Sequence, residues 1–286
     1  MTPEIKASQQ TFLYRFYYLF TALSVLNSGK AFNVFMGRQD SIFKTPIPAF
    51  AWTSHLGTEL SAVMGYLFAV VISFYCAWRP WGRSQRIAHF LAMLGYVWWW
   101  FITQVSMKDF DKLMLIQVSF LLIFLPQSKA WKSEEGQKQS QTVLSAVQLN
   151  LLLIYSMSGL TKILTTLWGY KTGDGLLLPD GMVIRVITHT VGTYSGPELA
   201  PMAGTFASLR EGSYPLTLGV VLLQTTAVWG WFRPKWMPYY GALIISMHIA
   251  NSLLFNIHYF DHMVLLGVFL VISSTTLLKD SPGAEP

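Results

Sequence analysis

Apolar residues in this chain come in long unbroken runs. Eight such segments stand out, at roughly 11–29, 58–77, 86–106, 111–126, 143–166, 214–232, 239–257 and 260–278. Most approach the roughly 20 residues that an α-helix needs to cross a bilayer. None shows the alternation, over about 10 residues, of a membrane β-barrel strand. The pattern predicts an all-α, polytopic helical membrane protein of about eight helices. The fourth segment is the shortest and is expected to tilt or to span incompletely. Trp and Tyr gather at segment ends, as in VWWW (97–100) and WMPYY (236–240), the positions of aromatic belts at the headgroups.

Two stretches interrupt the runs. Residues 30–57 contain the Pro-rich FKTPIPAFAW, and residues 167–213 form a long Gly- and Pro-rich loop. Within that loop GMVIRVITHTVG and PELAPMAGTFASL are amphipathic but too short to cross, and are expected as interfacial or re-entrant helices. No internal repeat is present, which disfavours an inverted-repeat transporter. A single transmembrane domain over 1–286, with its core at 11–278 and no separate soluble domain, is the expectation. The N-terminal MTPEIKASQQ is polar and lacks the pattern of a cleaved leader, so the first segment is expected to be retained.

Composition agrees with this class. The chain is 52% hydrophobic and 12% charged, with a mean hydropathy of +0.41; soluble domains carry about 25% charged residues. A net charge of +6 and a pI of about 9.3 suggest nucleic acid. Lys and Arg in short loops, however, are what orient a membrane protein, so the expected partner is the lipid bilayer and not nucleic acid. The one cysteine, Cys76, excludes a disulfide framework or a CxxC motif, and within its apolar run it reads as a passive small hydrophobe. If every segment crosses, the N-terminal side carries ten basic and five acidic residues, and the opposite side eight and nine. The clearest short basic loops, 79–86 and 233–235, fall on the first side. That side is assigned to the cytoplasm, with both termini inside a bacterial inner membrane.

The unusual polar residues then share the other side. Lys162 lies near the outer end of the fifth segment. Asp109 and Asp111 precede the fourth, His248 and Asn251 lie in the seventh, and His258, Asp261 and His262 occupy the last turn. Each has a plain structural explanation. A lysine near a helix end can snorkel to the headgroups, His248 and Asn251, three residues apart, can act as interhelical polar glue, and the aspartates can sit in a solvated loop. His258 and His262, four apart, have a metal-ligand spacing, but at a turn that does not guarantee helical geometry. The functional alternative is a polar pocket opening to the outer face. There burial disfavours an ammonium, and a neutral lysine can act as a base.

Three stretches carry a family resemblance. QLNLLLIYSMSGLTKILTTLW resembles the Gln…Ile-Tyr…Gly-x-x-Lys…Trp helix of the membrane region of vitamin K-dependent γ-carboxylase, and equally that of bacterial horizontally transferred transmembrane (HTTM) domain proteins. HIANSLLFNIHYFDHMVLL is similar to the same family's His-x-x-Asn-x-x-Leu-Phe-x-Ile-x-x-Phe stretch. SMKDFDKLMLIQVSFLLIFLPQSKAWKS resembles its polar loop leading into a helix that ends in Leu-Pro and a Trp-containing turn. The resemblance implies that Lys162 is the base that deprotonates a reduced, vitamin K-like quinone. It also implies that His248 and Asp111 work beside it, and that Asn251, Tyr155, Gln148, Trp168 and His258 line the substrate. A carboxylase histidine falls near Asp111, and the glycine that follows the family's Trp is displaced in GYKTGDG. The carboxylases' large extramembrane domain is not expected in the sequence at hand, whose apolar segments run to about residue 278.

Two functions therefore stand open. In the first the chain acts on a quinol-type or other lipid-soluble substrate, with Lys162 as base. In the second it is a non-catalytic membrane subunit that assists maturation or export of a secreted peptide alongside a partner protein.

Overall fold

The computed structural model describes residues 3–28, 58–79, 82–103, 113–170, 176–178, 181, 210–255 and 259–273. Among them all regular structure is helical. The helices are α1 (Pro3–Ser28), α2 (Thr58–Trp78), α3 (Arg83–Thr103), α4 (Leu113–Leu122), α5 (Glu134–Gly169), α6 (Arg210–Thr225), α7 (Trp229–Phe232), α8 (Met237–Phe255) and α9 (Phe260–Leu266). Short 3-10 turns cover Ser128–Lys132 and Pro234–Trp236, and a π-helical stretch, Gly267–Ile272, continues α9. The chain divides into two units, Met1–Val147 and Gln148–Pro286.

Each predicted apolar segment holds a helix within its described residues, but several limits differ from the apolar ones. α1 begins at Pro3 and so takes in the polar PEIKASQQ. α5 begins at Glu134, nine residues before its apolar run. Ser133 causes this early start: its hydroxyl accepts the Gly136 amide at 3.2 Å and its carbonyl accepts the Gln137 amide at 3.0 Å. Glu134 and Glu135 in the first turn suit the positive end of the helix dipole. The sixth segment breaks at 226–228 between α6 and α7. The fourth ends at Leu122, where i→i+3 bonds unwind the chain ahead of Pro126.

In the first unit α2 and α3 cross at glycine on glycine. A Cβ on Gly65 would stand 2.7 Å from the Gly95 carbonyl oxygen, so Gly65 does not admit a side chain without moving a helix, and one on Gly95 would be tight at 3.2 Å from the Gly65 Cα. Tyr17 ties α1 to α4 through a 2.9 Å bond between its hydroxyl and that of Ser119. The Arg86 guanidinium is fully buried and donates to the carbonyls of Leu125 (through Nη2) and Pro126 (3.2 Å, through Nη1), beyond the end of α4. Trp131 also donates to the Pro126 carbonyl, at 3.2 Å. Arg86, counted from sequence among the loop charges, is thus an internal cap on α4.

The buried core is mainly hydrophobic, but large apolar side chains also cover much of the surface, and some polar ones lie inside. On α1 the buried side includes Tyr14, Tyr17, Tyr18, Thr21 and Ser24, while Phe12, Phe16, Leu19, Leu23 and Leu26 are exposed. On α2 Leu67, Phe68, Val71 and Phe74 are exposed and Ser73 is buried. On α5 Leu153, Met157, Leu160, Leu164 and Leu167 face outward, and Gln148 and Tyr155 inward. Among the described residues one helix, α5, is long and apolar enough to cross a membrane; the apolar stretches Val63–Trp78, Leu113–Leu122, Tyr214–Thr225 and Phe260–Ile272 are shorter. At about 1.5 Å per residue α5 is roughly 54 Å long, well beyond a hydrocarbon core of about 30 Å. Its polar first turns therefore have room outside that layer.

Replacing Arg86 with Met keeps the stem and removes both charged donors, leaving the Leu125 carbonyl without them. The expected cost is about 1–3 kcal/mol, read as a lower unfolding midpoint in detergent. An unchanged midpoint would show that the guanidinium does not hold the end of α4.

Candidate functional site

Gln148, Tyr155 and Lys162 are spaced seven residues apart along α5, two helical turns each, and so fall along one face of the helix. Neighbouring contacts fix that face. A Cβ at Gly159 would run into the backbone and hydroxyl of Thr225, so glycine lets α6 lie directly against α5. The Ser156 hydroxyl accepts the Val228 amide at 2.8 Å, which satisfies a backbone donor at the break after α6.

The three positions do different work. The Gln148 side-chain amide donates to the Phe269 carbonyl and to the Ser273 hydroxyl, both at 2.9 Å. Ser273 in turn donates to the Phe269 carbonyl. Gln148 therefore clamps the π-helical stretch to α5, and these donors are not directed at a ligand.

Tyr155, two turns on, is the centre of a buried group. Its hydroxyl lies 2.6 Å from Nε2 of His248 on α8 and 3.2 Å from Nδ1 of His262 on α9. The rings of His248 and His262 have centroids 5.4 Å apart and stand nearly perpendicular. Tyr259 covers both, 4.9 Å from His248 and 5.4 Å from His262. His248 is 4% exposed, and its Nδ1 is buried without a hydrogen-bond partner. His262 is half-buried. Asn251 is half-buried on the turn of α8 after His248.

Lys162 is half-buried and does not extend toward the end of α5. Its Nζ donates to the Ser158 hydroxyl at 2.7 Å and to the Ser158 carbonyl at 3.4 Å, one turn back along its own helix. Helical side chains lean toward the N-terminus, so a lysine near the C-terminal end points back along the helix rather than past its end. Lys162 and His262 both lie within electrostatic range of His248.

Of the residues expected to form a site, Tyr155 and His248 touch, Lys162 lies on the same face of α5, and Asn251 lies one turn from His248. Gln148 serves as a clamp. Trp168 is 91% exposed and belongs to the outer surface of α5. Asp111 and His258 lie outside the described residues, as does most of the Gly-rich loop. Among the described residues no group of three or more His, Cys, Asp or Glu could hold a metal, and His262 bonds to a tyrosine.

The pairing of Tyr155 with His262 was not visible in the sequence. Nor was a second buried polar group, in the first unit. There His89 is fully buried, with both ring nitrogens lacking a hydrogen-bond partner, and stands edge-on to Tyr18 with ring centroids 4.4 Å apart. No family model, curated protein or solved structure matches this chain.

The clamp and the outward tryptophan should separate cleanly on mutation. Gln148→Leu is expected to cost about 1–3 kcal/mol, because it strips donors from a buried carbonyl and hydroxyl. Trp168→Ala is expected to stay within about 0.5 kcal/mol. Unfolding midpoints of the two variants in one detergent check both, and an equal loss in the two would refute the assignment.

Proposed function

We propose that the chain is a polytopic membrane protein of the HTTM type whose second unit binds a quinol-type, lipid-soluble molecule and deprotonates it, with Lys162 as the base. The observation that carries this reading is the buried His248–Tyr155–His262 group, set on helices whose outward faces are leucine and other apolar residues, with Lys162 folded back along the same face. An apolar surround suits a prenylated ring. The outward leucine and phenylalanine side chains of α1, α2, α5, α6 and α8 support the membrane reading, because an apolar surface this extensive needs a covering. The bacterial inner membrane with both termini cytoplasmic remains the preferred placement. Arg86 brings the start of α3 to the end of α4, so the exposed Arg79 and Arg83 lie at the same end of the first unit as Lys129 and Lys132. Basic turns gathered at one end are what the positive-inside rule asks of the cytoplasmic face.

The base role makes a clear demand. Lys162→Ala is expected to reduce consumption of menadiol in air-saturated nanodiscs by about 100-fold or more, with the protein still inserting and folding. Lys162→Arg keeps the charge but does not give up a proton, so it is expected not to rescue. Full turnover in the arginine variant would rule out Lys162 as base. Tolerance of both changes would instead favour the non-catalytic reading, a subunit assisting maturation of a secreted peptide.

Orientation has its own test. The native Cys76 is buried, so a thiol added by Gly173→Cys should react alone with an impermeant maleimide. Labelling is expected from the outer face of intact cells; labelling only after lysis would reverse the orientation.

A further inference from the structure

We infer that His248, Tyr155 and His262 form a proton relay that carries a ligand hydroxyl proton from the buried site to α9. This rests on the reading of the second unit as a quinol-type site, and it adds a route that Lys162 does not provide. The Tyr155 hydroxyl has one proton and stands between two ring nitrogens, at 2.6 Å from His248 Nε2 and 3.2 Å from His262 Nδ1. With both histidines neutral, two arrangements satisfy both contacts. In one, His248 carries its proton on Nε2 and donates to the Tyr155 oxygen, Tyr155 donates to His262 Nδ1, and His262 carries its proton on Nε2. In the other, Tyr155 donates to His248 Nε2, His262 donates from Nδ1 to Tyr155, and His248 carries its proton on Nδ1. One hydroxyl thus forces the two rings into the same tautomer.

The passage of a single proton interconverts the arrangements. A proton arrives at His248 Nδ1, the Nε2 proton passes to the Tyr155 oxygen, the tyrosyl proton passes to His262 Nδ1, and the proton on His262 Nε2 leaves. One N–H bond forms and one breaks on each histidine, one O–H bond forms and one breaks on Tyr155, and no electrons are exchanged. The entry point is the His248 Nδ1, which is buried and has no protein hydrogen-bond partner. The exit is on the half-buried His262, next in sequence to the buried Asp261.

The two states of Nδ1 match the two states of one kind of ligand oxygen. A hydroxyl donates to the bare Nδ1 of the first arrangement, and an oxyanion or carbonyl accepts from the Nδ1–H of the second. This complementarity selects a ligand whose oxygen changes between those forms, which is the chemistry of a quinol. A quinol has two hydroxyls, one for Lys162 and one for His248.

The test needs no assigned activity. Full-length protein in nanodiscs, labelled with nitrogen-15 at histidine and assigned by single His→Gln variants, reports which ring nitrogen is protonated. The expected result is a matched pair, His248 and His262 both Nδ1–H or both Nε2–H, with the match lost in Tyr155→Phe. Opposite tautomers in the wild type, or a match that survives Tyr155→Phe, would overturn the relay. If the phenylalanine variant does not fold, His262→Leu serves instead, because it leaves the Tyr155 proton only His248 Nε2 to donate to. It is expected to hold His248 in a single tautomer, and continued exchange at His248 would count against the relay. Menadiol added without oxygen is expected to move both rings together to Nε2–H, whereas a response at His248 alone would overturn the coupling. Matched rings that stay Nδ1–H with menadiol present would uphold the relay and remove the quinol reading of the site.

Discussion

A helix whose outward face is leucine and phenylalanine turns its polar groups to the inward face, and the pairs those groups make tie the elements of each unit together. Water is not at hand for the groups on those faces, and an unpaired polar atom there costs several kcal/mol. Arg86 donates to the carbonyls past the end of α4, Tyr17 bonds Ser119, and Gln148 caps the Phe269 carbonyl. Each of these bonds ties one helix to another element distant in sequence. Polar satisfaction is therefore also what sets helix against helix.

Such bonds need helices close enough to make them, and glycine supplies the approach. Gly65 meets Gly95 backbone to backbone, and Gly159 lets Thr225 lie against α5. The second contact stands between Tyr155 and Lys162 on the same helix, so the packing of α6 fixes the height and rotation of the face that carries both. Ser156 adds a bond to Val228 in the same region. A face held at several points keeps the Tyr155 hydroxyl between two histidines, where small rotations would cost it one or the other.

The helical class and the place of each helix were legible, because long apolar runs have few other solutions. Helix starts were less so. The apolar run of α5 begins well after the helix itself, since polarity marks where an oily layer ends and not where backbone hydrogen bonding does. Ser133, Glu134 and Glu135 start the helix outside that run, where the apolar pattern does not reach. Lys162 and His248 stood out through the rarity of ionisable residues in such segments. The Tyr155–His262 contact did not, because it joins positions 107 residues apart and depends on the register of three helices. Arg86 misled in the other direction: beside Arg79 and Arg83 it looked like a loop charge, and only the carbonyls at the end of α4 explain its burial.

The orientation of Lys162 bears on the choice between anchor and base. Snorkelling succeeds when the natural lean of a helical side chain carries its charge toward the nearer interface. That lean runs toward the N-terminus, so it helps a lysine near the start of a helix and opposes one near the end. Lys162 has Trp168 and Gly169 after it and Tyr155 before it, and its amine turns back to Ser158. An anchor placed there would work against its own backbone. The amine instead stays on the Tyr155 side of its own position, held by the serine hydroxyl one turn back.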